Sequence, residues 1–105
     1  IAKAVARARD RVHHLVKVEV EVEDLDELVL ALQAGADVIL LDNMDDATLA
    51  QAVRVADGRA LLEASGNMDA ARIEAIRDFG LDVVSVGGLI HQARWVDLSL
   101  RIDPR

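Results

Sequence analysis

The chain has 105 residues, 52% hydrophobic and 30% charged, which suits one folded domain with a single core and excludes a disordered tail. Its formal net charge of −7 argues against nucleic acid or an anionic membrane as the main partner, because both need a basic footprint. No cysteine is present, so disulfides and thiolate chemistry are excluded, and no apolar run or signal peptide points away from the cytoplasm.

Residues 1–9 read as the inside of a helix with neither initiator methionine nor cap, so the chain is expected to be a piece of something longer. His13-His14 is placed at the end of that helix as a solvated pair. Residues 16–22, 37–41, 60–64 and 82–86 are short β-prone runs, and helical spacing fills the stretches between them. Leu25, Leu28, Val29 and Leu32 form one apolar stripe, opened by a capping box of Asp24 and Glu27 and stopped at Gly35. A further helix spans 46–56 with Leu49, Ala52, Val53 and Ala56 inward. Another starts after Asp69, buries Ile73 and Ile76, and ends at Phe79-Gly80, while Phe79 and Trp95 are assigned to the core.

The order is therefore αβαβαβαβ, which implies a parallel sheet with right-handed crossovers. Glu21, Asp42, Glu63 and Ser85 each fall at or near the C-terminal end of a strand, at intervals of 21, 21 and 22 residues. Such repetition suits a four-strand segment of a (β/α) barrel, with an open flavodoxin-type sheet as the rival.

In either architecture, chemistry collects at the carboxyl ends of the strands. The first strand alternates, with Val16, Val18, Val20 and Val22 on one face and Lys17, Glu19, Glu21 and Glu23 on the other. A wet antiparallel edge strand has the same pattern. The βα repeat instead points the charged face into a covered interior, where bare carboxylates would be costly without a ligand or ion. Lys17 and Glu19 are thus candidate substrate contacts. Asp42 closes the run Val38-Ile39-Leu40-Leu41, and because Asp45 and Asp46 already offer a helix cap, Asp42 is left free. Glu21 and Asp42, read as equivalent positions on adjacent strands, offer hard oxygens to Mg²⁺ or to ribose hydroxyls. Two loops, Ser65-Gly66-Asn67 and Ser85-Val86-Gly87-Gly88 with His91 beyond, let backbone amides approach a phosphate. Ordinary turns and a surface histidine are the plainer reading of the same residues.

Lys17-Val18-Glu19-Val20-Glu21-Val22-Glu23, Ala34-Gly35-Ala36-Asp37 leading to Leu40-Leu41-Asp42-Asn43, and Leu62-Glu63-Ala64-Ser65-Gly66 closely resemble the quinolinate phosphoribosyltransferase family. Val84-Ser85-Val86-Gly87 and Asp97-Leu98-Ser99-Leu100 continue the resemblance in order. It implies the C-terminal part of a type II phosphoribosyltransferase barrel, preceded in the family by an N-terminal sandwich domain and the first barrel strands. The implied reaction joins quinolinate and phosphoribosyl pyrophosphate, with Mg²⁺, into nicotinate mononucleotide, pyrophosphate and CO₂. Glu21 and Asp42 take the family's catalytic, ribose- and Mg²⁺-facing places. Ser65, Gly66, Asn67, Gly87, Gly88 and His91 take its phosphate-binding places.

Asn67 replaces a usual glycine and is expected to keep the turn, since Asn tolerates the left-handed conformation; Gly88 replaces a common alanine. The family's basic substrate grip is expected upstream of Ile1, so the 105 residues alone are expected to be inactive. A homodimer, or a higher homo-oligomer, is expected. The competing expectations are a catalytically inert half-barrel module, in which dimerisation covers unpaired strand edges, and, more weakly, a receiver-like domain using Asp42.

Overall fold

The computed structural model describes residues 1–87. They alternate helix and strand: α1 (Ala2–Arg9), β1 (Glu19–Val22), α2 (Leu25–Gln33), β2 (Val38–Asp42), α3 (Asp46–Ala56), β3 (Leu61–Ser65), α4 (Ala70–Ile76) and β4 (Val83–Val84). All four strands are parallel and lie side by side in chain order, β1-β2-β3-β4. A doubly wound sheet would reverse direction at a switch point, and none occurs among these strands. The arrangement is that of consecutive βα units in a barrel wall.

The helices start where acidic caps stand. Asp24 accepts the Glu27 amide at 2.8 Å, Asp45 the Thr48 amide at 2.7 Å and Asp69 the Arg72 amide at 2.8 Å. Glu27 reaches back to the Glu23 amide at 2.9 Å, one residue earlier than a strict capping box. Gly35, at φ +75°, ends α2 as read from the sequence. Asp57, itself left-handed at φ +48°, turns the chain out of α3 ahead of Gly58.

One face of the sheet carries the core. Val22, Ile39, Leu41, Leu62 and Ala64 pack with Leu28, Ala31, Leu32, Leu49, Ala52 and Ile76 from the helices. Leu28, Ile39, Leu41, Leu49 and Ile76 are fully buried, each gaining about 1.5–3 kcal/mol over exposure. Phe79 packs at the edge of this core.

Four expectations are corrected. β1 begins at Glu19, so Val16 (48% exposed) and Lys17 precede the strand. α1 stops at Arg9, leaving His13 and His14 beyond it with their rings 4.0 Å apart. Val29 is 38% exposed, because Leu28, Ala31 and Leu32 are the residues of α2 that meet the sheet, which turns Val29 onto the flank. The second sheet face is not covered among the described residues: Glu19, Glu21, Leu61 and Val83 are exposed there, and Val38, Leu40 and Glu63 are half-buried.

Two aspartates anchor the opposite, N-terminal ends of the strands. Asp37 accepts the Val18 amide at 2.8 Å and pairs with Arg9 at 2.9 Å, while Asp82 accepts the Leu62 amide at 2.8 Å. The Arg9 guanidinium, helped by the Val18 amide, holds the Asp37 carboxyl below the ordinary carboxylate range. No helix among the described residues is long and apolar enough to cross a membrane.

Candidate functional site

The sheet register decides which side chains share the carboxyl edge. Glu21 lies opposite Leu40, Leu40 opposite Glu63, and Glu63 opposite Val83, intervals of 19, 23 and 20 residues. Glu21 and Asp42 are therefore not equivalent positions, as the even spacing had suggested. They share a face but differ by two residues along the strand, because the β1–β2 and β2–β3 crossovers differ in length. Asp42 pairs in register with Ser65, one step nearer the rim.

The offset does not separate the carboxylates. Oxygens of Glu21, Glu23 and Asp42 all lie within 4.8 Å of one another, with the two glutamates exposed and Asp42 half-buried. Glu23, at the turn leaving β1, thus joins the pair read from the sequence. Three hard oxygen donors converging at a rim can hold a divalent cation or several hydroxyls.

Asp42 is also tied to the next loop. The Ser65 hydroxyl donates to its carboxylate at 3.0 Å, and the Asn43 amide donates to the Ser65 carbonyl at 3.0 Å. Gly66 sits at φ +89°, and a Cβ there would lie 2.9 Å from the Asn43 Cα. Only glycine lets the two loops close this tightly. Asn43 and Asn67 are left-handed, at φ +51° and +47°, and Asn67 donates to the Asn43 side chain at 3.3 Å. Asparagine does keep the turn where the family pattern has glycine.

A cleft of about 690 Å³ opens beside this loop, lined by Ser65 to Asp69 on one side and by Ser85 and Gly87 on the other. The Ser85 hydroxyl donates to the Glu63 carboxylate, which joins β4's end to β3. Ser65, Gly66, Asn67 and Gly87 are thereby brought together. Glu19 stands at the first residue of β1, opposite Val38, with Lys17 before it, so both lie toward the far end of the sheet from the rim. Gly88, His91, Trp95 and residues 97–100 lie outside the described residues.

Asp45 is committed to α3. The Thr48 amide and hydroxyl hold its carboxyl below the usual range. Asp42 is thus spared that duty, as read from the sequence.

One residue of the site went unread. Arg72, on α4 with its side chain 19% exposed, donates to Asp46 at 2.9 Å, to the Gly66 carbonyl at 2.8 Å, to the Asn67 carbonyl at 3.4 Å and to the Met44 carbonyl. It is the only cation among the described residues lining the two adjoining clefts at this edge. An arginine on a short helix gives no sequence sign of such contacts, since three of its four partners are backbone carbonyls.

Comparison with known proteins supplies a context for this geometry. A family model described as "Quinolinate phosphoribosyl transferase, C-terminal domain" matches residues 1–101. A probable nicotinate-nucleotide pyrophosphorylase [carboxylating] of Methanothermobacter thermautotrophicus is 43% identical over 107 residues, covering 97% of this chain and 38% of the relative. The human nicotinate-nucleotide pyrophosphorylase [carboxylating] is 35% identical over 105 residues, covering 97% of this chain and 35% of the relative. The solved structure of the Francisella tularensis nicotinate-nucleotide pyrophosphorylase superposes with a TM-score of 0.81 at 43% identity, covering 94% of this chain and 36% of that one. The chain thus spans little more than a third of the proteins it resembles.

Proposed function

The chain belongs to the quinolinate phosphoribosyl transferase family, matching its C-terminal domain, and on that premise we propose that its sheet edge forms one side of a phosphoribosyl-transfer site. The reaction is the joining of quinolinate to phosphoribosyl pyrophosphate, with loss of CO₂, to give nicotinate mononucleotide and pyrophosphate for NAD biosynthesis. The observation that carries the reading is the 3.0 Å hydrogen bond from Ser65 to Asp42, which locks a rim of carboxylates to a glycine loop beside an open cleft.

Each part has a distinct task. The pyridine nitrogen of quinolinate attacks the anomeric carbon while the bond from that carbon to the pyrophosphate oxygen breaks. Positive charge builds on the ribosyl ring, and Glu21 and Asp42 face it with fixed negative charge. A carboxylate about 4 Å from a unit charge contributes about 4 kcal/mol at the effective dielectric of a protein surface. The loop Ser65-Gly66-Asn67, with Gly87 across the cleft, receives the 5′-phosphate through backbone amides. The pyridinium product then loses its ring carboxylate as CO₂, and a proton fills the carbon left behind.

The oxygens of Glu21, Glu23 and Asp42 have the hard-donor chemistry that Mg²⁺ takes. When bound, Mg²⁺ supplies charge neutralisation for the departing pyrophosphate. Quinolinate and phosphoribosyl pyrophosphate are polyanions, and Arg72 is already committed to four acceptors, so the basic grip on both comes from other parts of the full protein. Homodimerisation, which would shield the outer edge of β1, and a cytoplasmic setting belong to the same proposal.

The test is direct. The full natural protein, given quinolinate, phosphoribosyl pyrophosphate and Mg²⁺, is expected to release nicotinate mononucleotide and CO₂ in equal amounts. Folded protein that forms neither product contradicts the reading.

A further inference from the structure

Arg72 does more at this edge than join two loops. Across a planar trans peptide, the carbonyl of one residue and the amide of the next point in opposite directions. The Gly66 and Asn67 carbonyls both turn toward the Arg72 guanidinium, at 2.8 and 3.4 Å. The Asn67 and Met68 amides must therefore point away from it. Neither amide donates to an acceptor among the described residues, and both residues line the 690 Å³ cleft.

Resting on the phosphoribosyl-transfer reading, we propose that Arg72 is a positioning residue that sets these two peptide planes so that the Asn67 and Met68 amides serve the 5′-phosphate. Its planar fork suits the task. Three separate nitrogens reach Asp46 and the Met44, Gly66 and Asn67 carbonyls from three directions, which fixes the plane of the guanidinium and hence of the peptides. Its own α4 position is fixed in turn by Asp69, which accepts the Arg72 amide at 2.8 Å. The guanidinium is not a phosphate ligand in this account. Its charge is spent on the far side of the loop, and the phosphate meets neutral amides whose direction it has set. A lysine at this position could not do the same, since one ammonium has no fork to span these acceptors.

The experiment compares Arg72→Ala and Arg72→Lys with the wild type in the full natural protein. Three quantities are read: kinetics with each substrate varied, binding of ribose 5-phosphate by calorimetry, and the thermal midpoint. Loss of two well-aimed amide–phosphate hydrogen bonds is worth roughly tenfold or more in affinity. Both variants should therefore raise KM for phosphoribosyl pyrophosphate and weaken ribose 5-phosphate binding by about that factor, with KM for quinolinate essentially unchanged.

A purely structural role would lower the midpoint and the active fraction without moving one substrate's KM apart from the other's. That result, or a lysine variant that binds ribose 5-phosphate like the wild type, overturns the proposal. If the alanine variant does not fold, the lysine variant alone decides on the same readings. Wild type that binds ribose 5-phosphate but transfers nothing to quinolinate refutes the functional reading while leaving Arg72 testable by calorimetry. Wild type that does neither overturns both.

Discussion

At residue Gly66 the backbone has no alternative. Its φ of +89° and the 2.9 Å approach of a would-be Cβ to the Asn43 Cα exclude any side chain without moving a neighbouring strand end. Gly66→Ala is expected to lower stability by about 1–3 kcal/mol in denaturant unfolding, and to weaken phosphate binding further because the displaced backbone is that of the site. Asn67→Gly, by contrast, should stay within about 1 kcal/mol of wild type, since asparagine already accepts φ near +47° there. This difference was half legible in the sequence. Glycine after a strand suggested a turn, and asparagine suggested that the turn survives. Arg72 was not legible, because the carbonyls it binds belong to residues whose side chains say nothing about them.

The elements themselves were written plainly in the apolar spacing. The helix read over 46–56 is found as α3 (Asp46–Ala56), and Leu49, Ala52 and Ala56 are buried as read, with Val53 packed against the core. The register between strands was not legible. Counting 21 residues from Glu21 to Asp42 includes the crossover, and crossovers of different length shift the pairing without disturbing the alternation of faces. The face was therefore read correctly and the level along it was not. The element-scale predictions concern caps and strand anchors. Asp69→Ala removes the α4 cap and is expected to destabilise the protein by about 0.5–2 kcal/mol in thermal or denaturant unfolding. Asp37 and Asp45 have carboxyls held below the ordinary value of 3.8. Groups depressed on folding contribute fully above their unfolded pKa and lose that contribution as pH falls through the lowered one. Stability should thus be level near neutrality and fall below about pH 4. Asp37→Asn should flatten part of that fall in thermal midpoints measured from pH 7 to pH 3.

The whole molecule is a one-sided sheet among the described residues, with its core under helices and its functional face open. A barrel wall has this form when seen alone, and a face bearing Glu19, Glu21 and Glu63 finds its counter-charges only from elements packed opposite. The 105-residue chain by itself is therefore expected to give no nicotinate mononucleotide in an assay where the full natural protein does. Turnover by the 105 residues alone would show that the basic grip is not needed from elsewhere. The net charge of −7 belongs to this picture as the acidic side of a site balanced only when complete. The inert-module alternative makes the opposite forecast for the full protein, namely normal folding without dependence on the rim carboxylates.

The most direct test of the central claim is kcat for nicotinate mononucleotide formation by the full natural protein carrying Asp42→Asn, measured beside Asp45→Asn as a control for charge. Asp42→Asn keeps the side chain's size and its place beside Ser65 but removes the charge facing the ribosyl centre. A fall of about 10²–10³ in kcat is expected for Asp42→Asn, with little change for Asp45→Asn. Equal turnover in the wild type and Asp42→Asn would contradict the account.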